Sequence, residues 1–213
     1  MSKRIALFGG SFDPPHLGHK ALVDTALQTL KIDEVWVIPV GLPVHRQLSG
    51  KASNQDRLYW LTAMFADTLD VRIMDWEINQ NTPTPAIATL RRFKAENPSI
   101  TPLWLMGMDS FLGMPHWVEF PQHQDVCNVA VFTRKGSPIH AQTYGWRLVE
   151  ANQQPQQAGH MCWLDVDLPH ISASQIRENP RIHSQGLHQD TCNAIVSCYA
   201  SDDTTPNKRE KHE

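Results

Sequence analysis

At 213 residues, 41% apolar and 19% charged, the chain is long enough for one α/β domain with a full core. A net charge of −3 excludes a broad basic surface for nucleic acid, so an anionic ligand has to be held locally. The opening apolar run is too short for a secretory segment, no stretch approaches a membrane span, and Cys127, Cys162, Cys192 and Cys198 form no CxxC pair, which favours free thiols in a cytoplasmic protein over a disulfide or a zinc site.

In chain order, residues 5–8 form an apolar run into Gly9 and Gly10, followed by Ser11, Phe12, Asp13, two prolines and His16-Leu17-Gly18-His19. Leu17, Ala21, Leu22, Ala26 and Leu30 then recur at helical spacing. This predicts a buried strand, a glycine turn, and a helix whose first turn carries both histidines. Glycines admit a ligand close to the backbone, and a helix N-terminus offers unpaired N–H groups and a partial positive charge. Two imidazoles three residues apart project to one side of that turn. The arrangement suits phosphate chemistry. A His-x-x-His pair also suits a metal, although no third ligand lies nearby in sequence, and a surface turn with solvated histidines is the plain alternative. The string matches neither the dinucleotide glycine fingerprint nor the P-loop.

Residues 35–40 read as a second buried strand, which makes a right-handed parallel βαβ unit with the first. Ligands bind outside the carboxyl ends of such strands. The loop that follows brings His45, Arg46 and Lys51, either a solvated polar loop or clamps for phosphate. A helix is expected over 54–65 with Asn54 as its cap, Arg57 being a solvated position on its surface or part of a site. A short strand over 71–74, a turn-rich segment over 79–86 and a helix over 87–94 come next. Residues 101–106 are another buried strand, ending in Gly107-Met108-Asp109-Ser110. Asp109 either caps a short helix or accepts from a ribose hydroxyl, and Trp117 is either a core residue or a stacking platform. A strand over 126–133 runs into Arg134 and Lys135, solvated or turned toward the ligand. A helix over 144–152 and a strand over 162–166 follow. Ser172 then caps a helix, with Gln175 completing a capping box. That helix is either merely capped at the surface or, with Ser174 and Arg177, a second anion site. A last helix over 192–200 with Ala194, Ile195 and Cys198 inward precedes a polar tail over 201–213, expected to be disordered. No repeat or second domain is evident, so residues 1–200 are expected to form one domain.

The string GGSFDPPHLGH resembles the signature of the HxGH nucleotidyltransferase superfamily, with His16-Leu17-Gly18-His19 as the motif. GMDSFLGMPHW is similar to the Gly-x-Asp-Ser…Pro-x-Trp segment of its nicotinate mononucleotide adenylyltransferases, and ISASQIRE to the closing ISSTxIR motif. The resemblance runs from about Lys3 to Ala200. It implies an α/β Rossmann-like nucleotidyltransferase fold, a parallel sheet flanked by helices on both faces. It also implies transfer of the adenylyl group of ATP to nicotinate mononucleotide in NAD biosynthesis, with Mg²⁺ held through the ATP phosphates and with small-molecule partners only. By resemblance, His16, His19 and Arg177 are the catalytic residues. The ATP site takes in Gly9, Gly10, Ser11, Phe12, His16, His19, Gly107, Asp109, Ile171, Ser172, Ser174 and Arg177, and the acceptor site His45, Arg46, Lys51, Thr84, Asp109 and Trp117. Two departures stand out. Val44 replaces a proline before His45, and Pro85 and Ala86 stand where the family usually carries the Tyr-Thr pair that holds the pyridine ring and its carboxylate. The departures keep open an enzyme acting on nicotinamide mononucleotide or another phosphomonoester; a hydrolase using the same phosphate cradle and a non-catalytic nucleotide-binding regulator are further alternatives.

Overall fold

The computed structural model describes residues 3–44, 47–134, 142–153 and 155–200. The expected tail over 201–213 lies outside the described residues. The strands are β1 Ile5–Gly10, β2 Glu34–Pro39, β3 Val71–Ile73, β4 Leu103–Gly107, β5 Asn128–Arg134, β6 Arg147–Leu148 and β7 His160–Val166. The helices are α1 Leu17–Thr29, α2 Asn54–Met64, α3 Ala86–Glu96, α4 Met108–Gly113, α5 Ala173–Glu178 and α6 Gln189–Tyr199. All the strands pair in parallel in one sheet, ordered β3-β2-β1-β4-β5-β7-β6.

Alternation along β1 builds the two cores. Ala6 and Phe8 face one layer, with Leu22, Val23 and Ala26 of α1 and Leu61 and Met64 of α2. Ile5 and Leu7 face the other, with Trp36, Ile38, Trp104, Phe93 of α3 and Phe111 of α4. Because helices cover both faces, the inner strands read as unbroken apolar runs rather than as alternating ones. A third cluster ties Trp60 of α2 to Ile176 of α5 and to Ile195 and Tyr199 of α6.

Several local expectations are corrected. The strand β1 includes both glycines, which pair with Ile38 and Pro39. Ser53 rather than Asn54 caps α2: the Asp56 N–H donates to the Ser53 hydroxyl at 3.1 Å and the Ser53 N–H to the Asp56 carboxylate at 2.9 Å. Asn54 is instead the first helical residue, and its amide reaches the Ile78 carbonyl. Ser172 does precede α5, but its side chain makes no capping bond. No helix forms over 144–152. Tyr144 and Gly145 have φ of 48° and 91°, outside the right-handed region, and the chain continues into the short strand β6. The last helix starts earlier than expected, at Gln189, and is rotated: Thr191, Ile195 and Tyr199 are buried, whereas Ala194 is exposed.

Strand order reverses at the centre of the sheet, where β1 is flanked by β2 on one side and β4 on the other. The crevice beyond their carboxyl ends is the switch point at which α/β sheets bind ligands.

Candidate active site

The strand β1 delivers Gly9 and Gly10 to this crevice, and a Cβ on Gly9 would stand 2.9 Å from the Trp104 ring. Phe12 turns the chain at φ 47° and packs edge-on against Phe8 and His19. His16 is the N-cap of α1, just outside the helix, and His19 is in its first turn. The two rings stack, with centroids 3.7 Å apart and planes at 20°. The His16 backbone N–H donates to His19 Nδ1 at 3.1 Å. With Nδ1 accepting, neutral His19 carries its proton on Nε2. Gly18 makes room for this stack, since a Cβ there would lie 3.0 Å from His16 Nδ1. His16 is buried, and burial pushes its pKa down to about 4, so at neutral pH it is an uncharged imidazole.

A cleft of about 590 Å³ opens above these groups. Gly9, Gly10, Ser11, Phe12, His16 and His19 line it from the β1 side, Gly107 and Asp109 from the end of β4, and Ile171 and Arg177 from α5 and the loop before it. The beginning and the end of the chain therefore meet at one cavity. Arg177 Nη1 donates to the Asp13 carbonyl, and Nη2 donates to the Ser174 hydroxyl at 3.0 Å. Asp109 does not cap α4; Gly107 holds that position and Asp109 is exposed at the cleft. Ser172 is not on the cleft wall. It lines a separate groove with Gln175 and His183, because its extended backbone (φ −124°, ψ 127°) sends successive side chains to opposite sides.

A second cleft of about 280 Å³ adjoins the first across Phe8, Gly9, Gly10, Ser11, Gly107 and Ser110. Thr84 and Trp117 line it, and Trp117 meets Trp104 at a steep angle, with centroids 6.4 Å apart. Pro85 and Ala86 also line it, so the departures from the Tyr-Thr pair fall on this wall. Lys51 is not brought to either cleft. Its amine donates to the Tyr199 carbonyl at 2.9 Å, because the loop before α2 is drawn toward α6. His45, Arg46 and Lys135 lie outside the described residues.

Three residues with no assigned role in the sequence reading, or an undecided one, prove to frame the site. Arg57 is fully buried, and its guanidinium joins the Ser11 and Val40 carbonyls to Asn54. Asp13 is buried in the loop between β1 and α1. Glu77 is buried in the wall of the second cleft, where Thr89 donates to it and burial pushes its pKa up to about 7 from 4.5. Between those two values the unfolded chain releases a proton that the folded protein keeps. Stability is therefore lost as pH rises through this window, by about 3 kcal/mol at most. Glu77→Gln is expected to melt at a higher temperature than the wild type at pH 8 and at nearly the same temperature at pH 4.5; thermal melts at the two pH values check this.

Among the described residues, no three His, Cys, Asp or Glu side chains converge as a metal cage. Asp109 offers one exposed carboxylate at the cleft. This donor set fits Mg²⁺, which keeps waters and phosphate oxygens as ligands and takes one or two carboxylates at most.

A parallel sheet whose switch point carries an HxGH helix start, with an arginine lining the same cleft, is the layout of a nucleotidyltransferase, and the matches to known proteins agree. The family model described as cytidylyltransferase-like matches residues 7–179. A "Probable nicotinate-nucleotide adenylyltransferase" of Shouchella clausii is 34% identical over 66% of this chain and 73% of its own length. One of a Sulfurovum species is 33% identical over 82% and 83%, and one of Neisseria meningitidis 29% over 87% and 90%. The fold also superposes on Plasmodium falciparum nicotinic acid mononucleotide adenylyltransferase complexed with NaAD, with a TM-score of 0.72, 18% identity and coverage of 92% of this chain and 96% of that one. The chain belongs to the cytidylyltransferase-like family and, within it, to the nicotinate-nucleotide adenylyltransferases.

Proposed function

We propose that this enzyme transfers the adenylyl group of ATP to nicotinate mononucleotide, giving the deamido dinucleotide and pyrophosphate. The observation that carries the reading is the convergence of His16, His19 and Arg177 on one cleft, with a tryptophan-walled second cleft beside it. A phosphate oxygen of the mononucleotide attacks the α-phosphorus of ATP as the bond to the bridging oxygen breaks and pyrophosphate leaves. The attacking oxygen is already ionised at pH 7, so no protein base is required. Catalysis is then positioning together with stabilisation of charge on the leaving oxygen. His19 donates from Nε2 to the leaving oxygen, neutral His16 adds a second donor to the phosphates, and Arg177 holds the outer phosphates with Ser174 beside it. Gly9, Gly10, Ser11 and Phe12 form the floor, and Asp109 is placed for the ribose. Mg²⁺ bound through phosphate oxygens offsets triphosphate charge. Thr84 and Trp117 take the pyridine end of the acceptor. The reading places this in one domain over residues 1–200 of a cytoplasmic enzyme. Four free thiols support that compartment, and among the described residues no helix is long and apolar enough to cross a membrane.

The test is to supply ATP and Mg²⁺ with nicotinate or nicotinamide mononucleotide separately and to compare kcat/KM for dinucleotide formation. The expected result is pyrophosphate release that requires an acceptor and favours nicotinate. A strong nicotinamide preference overturns the acceptor assignment, which the Pro85-Ala86 wall makes the sharpest point of the test. AMP release without an acceptor identifies a hydrolase.

A further inference from the structure

Asp13 is 5% exposed and sits in the loop just before His16. Its carboxylate accepts the Ser49 N–H at 2.7 Å, the Ser49 hydroxyl at 2.9 Å and the Tyr199 hydroxyl. Burial opposes its charge, but the Ser49 and Tyr199 bonds and the Arg177 charge outweigh this and hold the carboxyl below its usual range. The carbonyl of the same residue accepts from Arg177 Nη1. One residue thus joins the loop before α1, the loop before α2, the arginine of α5 and the last residue of α6.

Tyr199 lies 186 positions from Asp13. It is 1% exposed, and its ring is tilted against Trp60 at 6.2 Å between centroids. Packing therefore fixes the direction of its hydroxyl. A phenylalanine would fill the same space and keep the ring contacts. A buried hydroxyl needs a partner, and the partner here is the residue whose main chain holds Arg177.

We infer that Tyr199 is a positioning residue for adenylyl transfer: through Asp13 it fixes the Arg177 guanidinium in the cleft that His16 and His19 also line. The inference rests on the function proposed above. Losing the hydroxyl leaves Asp13 with its Ser49 bonds alone and frees the loop carbonyl that Arg177 grips. Small misplacements of a positioned group are costly to rate, so a loss of about tenfold in kcat is expected.

The experiment is a double-mutant cycle. Wild type, Tyr199→Phe, Arg177→Ala and the double variant are compared for kcat at saturating ATP, Mg²⁺ and nicotinate mononucleotide, well below each melting temperature. Tyr199→Phe is expected to lower kcat about tenfold in the wild-type background and by less than about twofold in the Arg177→Ala background, where no guanidinium remains to be placed. A loss of general integrity would appear equally in both backgrounds. Equal losses, or an unchanged kcat in the single variant, overturn the inference. If Tyr199→Phe does not fold, Ser49→Ala removes another donor to Asp13 and must show the same dependence on Arg177. A wild type that forms no dinucleotide defeats the functional reading and this inference with it, whereas an active wild type with indifferent variants defeats the inference alone.

Discussion

His19→Ala is expected to lower kcat for dinucleotide formation at least roughly a hundredfold, about 3 kcal/mol of transition-state stabilisation, with the fold retained. The bond from the His16 N–H to His19 Nδ1 fixes the ring and its tautomer before ATP arrives. The donor therefore needs no reorganisation when charge develops on the leaving oxygen. The stacked neighbour does not replace it, because His16 is buried at the N-cap, one turn position away from the ring that His19 presents. His19 sits in the first turn of α1 and is only partly buried, and alanine is a strong helix former, so the melting temperature should change little. Steady-state rates together with thermal melts check both halves. Near-normal turnover in a folded variant would refute the role of His19.

The second large effect is on stability. Arg57→Ala is expected to cost about 3–5 kcal/mol, and for a chain of this size that lowers the melting temperature by roughly 10 °C. The guanidinium is completely buried. It donates to the Val40 carbonyl at 2.8 Å, to Asn54 Oδ1 at 2.6 Å and to the Ser11 carbonyl. It therefore pins the segments that leave β1 and β2 to α2. Removing it takes a donor from the buried Ser11 carbonyl and the partly buried Val40 carbonyl and leaves a void. Arg57→Lys should rescue little, because a single ammonium cannot span the same fork. Turnover should fall as well, since Ser11 lines both clefts. A melting temperature within about 2 °C of the wild type would show that these bonds contribute nothing net.

Legibility differed between elements for physical reasons. The strands β1, β2, β4 and β5 were readable because burial on both faces makes each a short apolar run ended by a glycine, a proline or a charge. The helix start at His16 was readable because glycine, acid, proline and histidine stand at fixed spacings there. The absent helix at 144–152 was misread because apolar residues at suitable spacing hid a left-handed turn at Tyr144 and Gly145. Ser172 and Lys51 were placed by residue type, yet their directions depend on extended backbone at one and on a distant carbonyl at the other. For Arg57 the sequence leaves a solvated helix position and a place in a site equally open. What buries it are carbonyls from two separate loops, and no periodicity reports those. Tyr199 was equally silent, since its partner comes from the opposite end of the sequence.

One feature of the sheet bears on how the molecule is made. The strand β1 precedes the other described strands in the chain yet lies inside the sheet, and one of its two neighbours does not exist until Leu103–Gly107 has left the ribosome. Until then the nascent chain carries an open edge, and such late, non-local pairing is slow and exposed to aggregation. Arg177 emerges later still. The cleft lined by His16, His19 and Arg177 is therefore complete only once α5 has emerged.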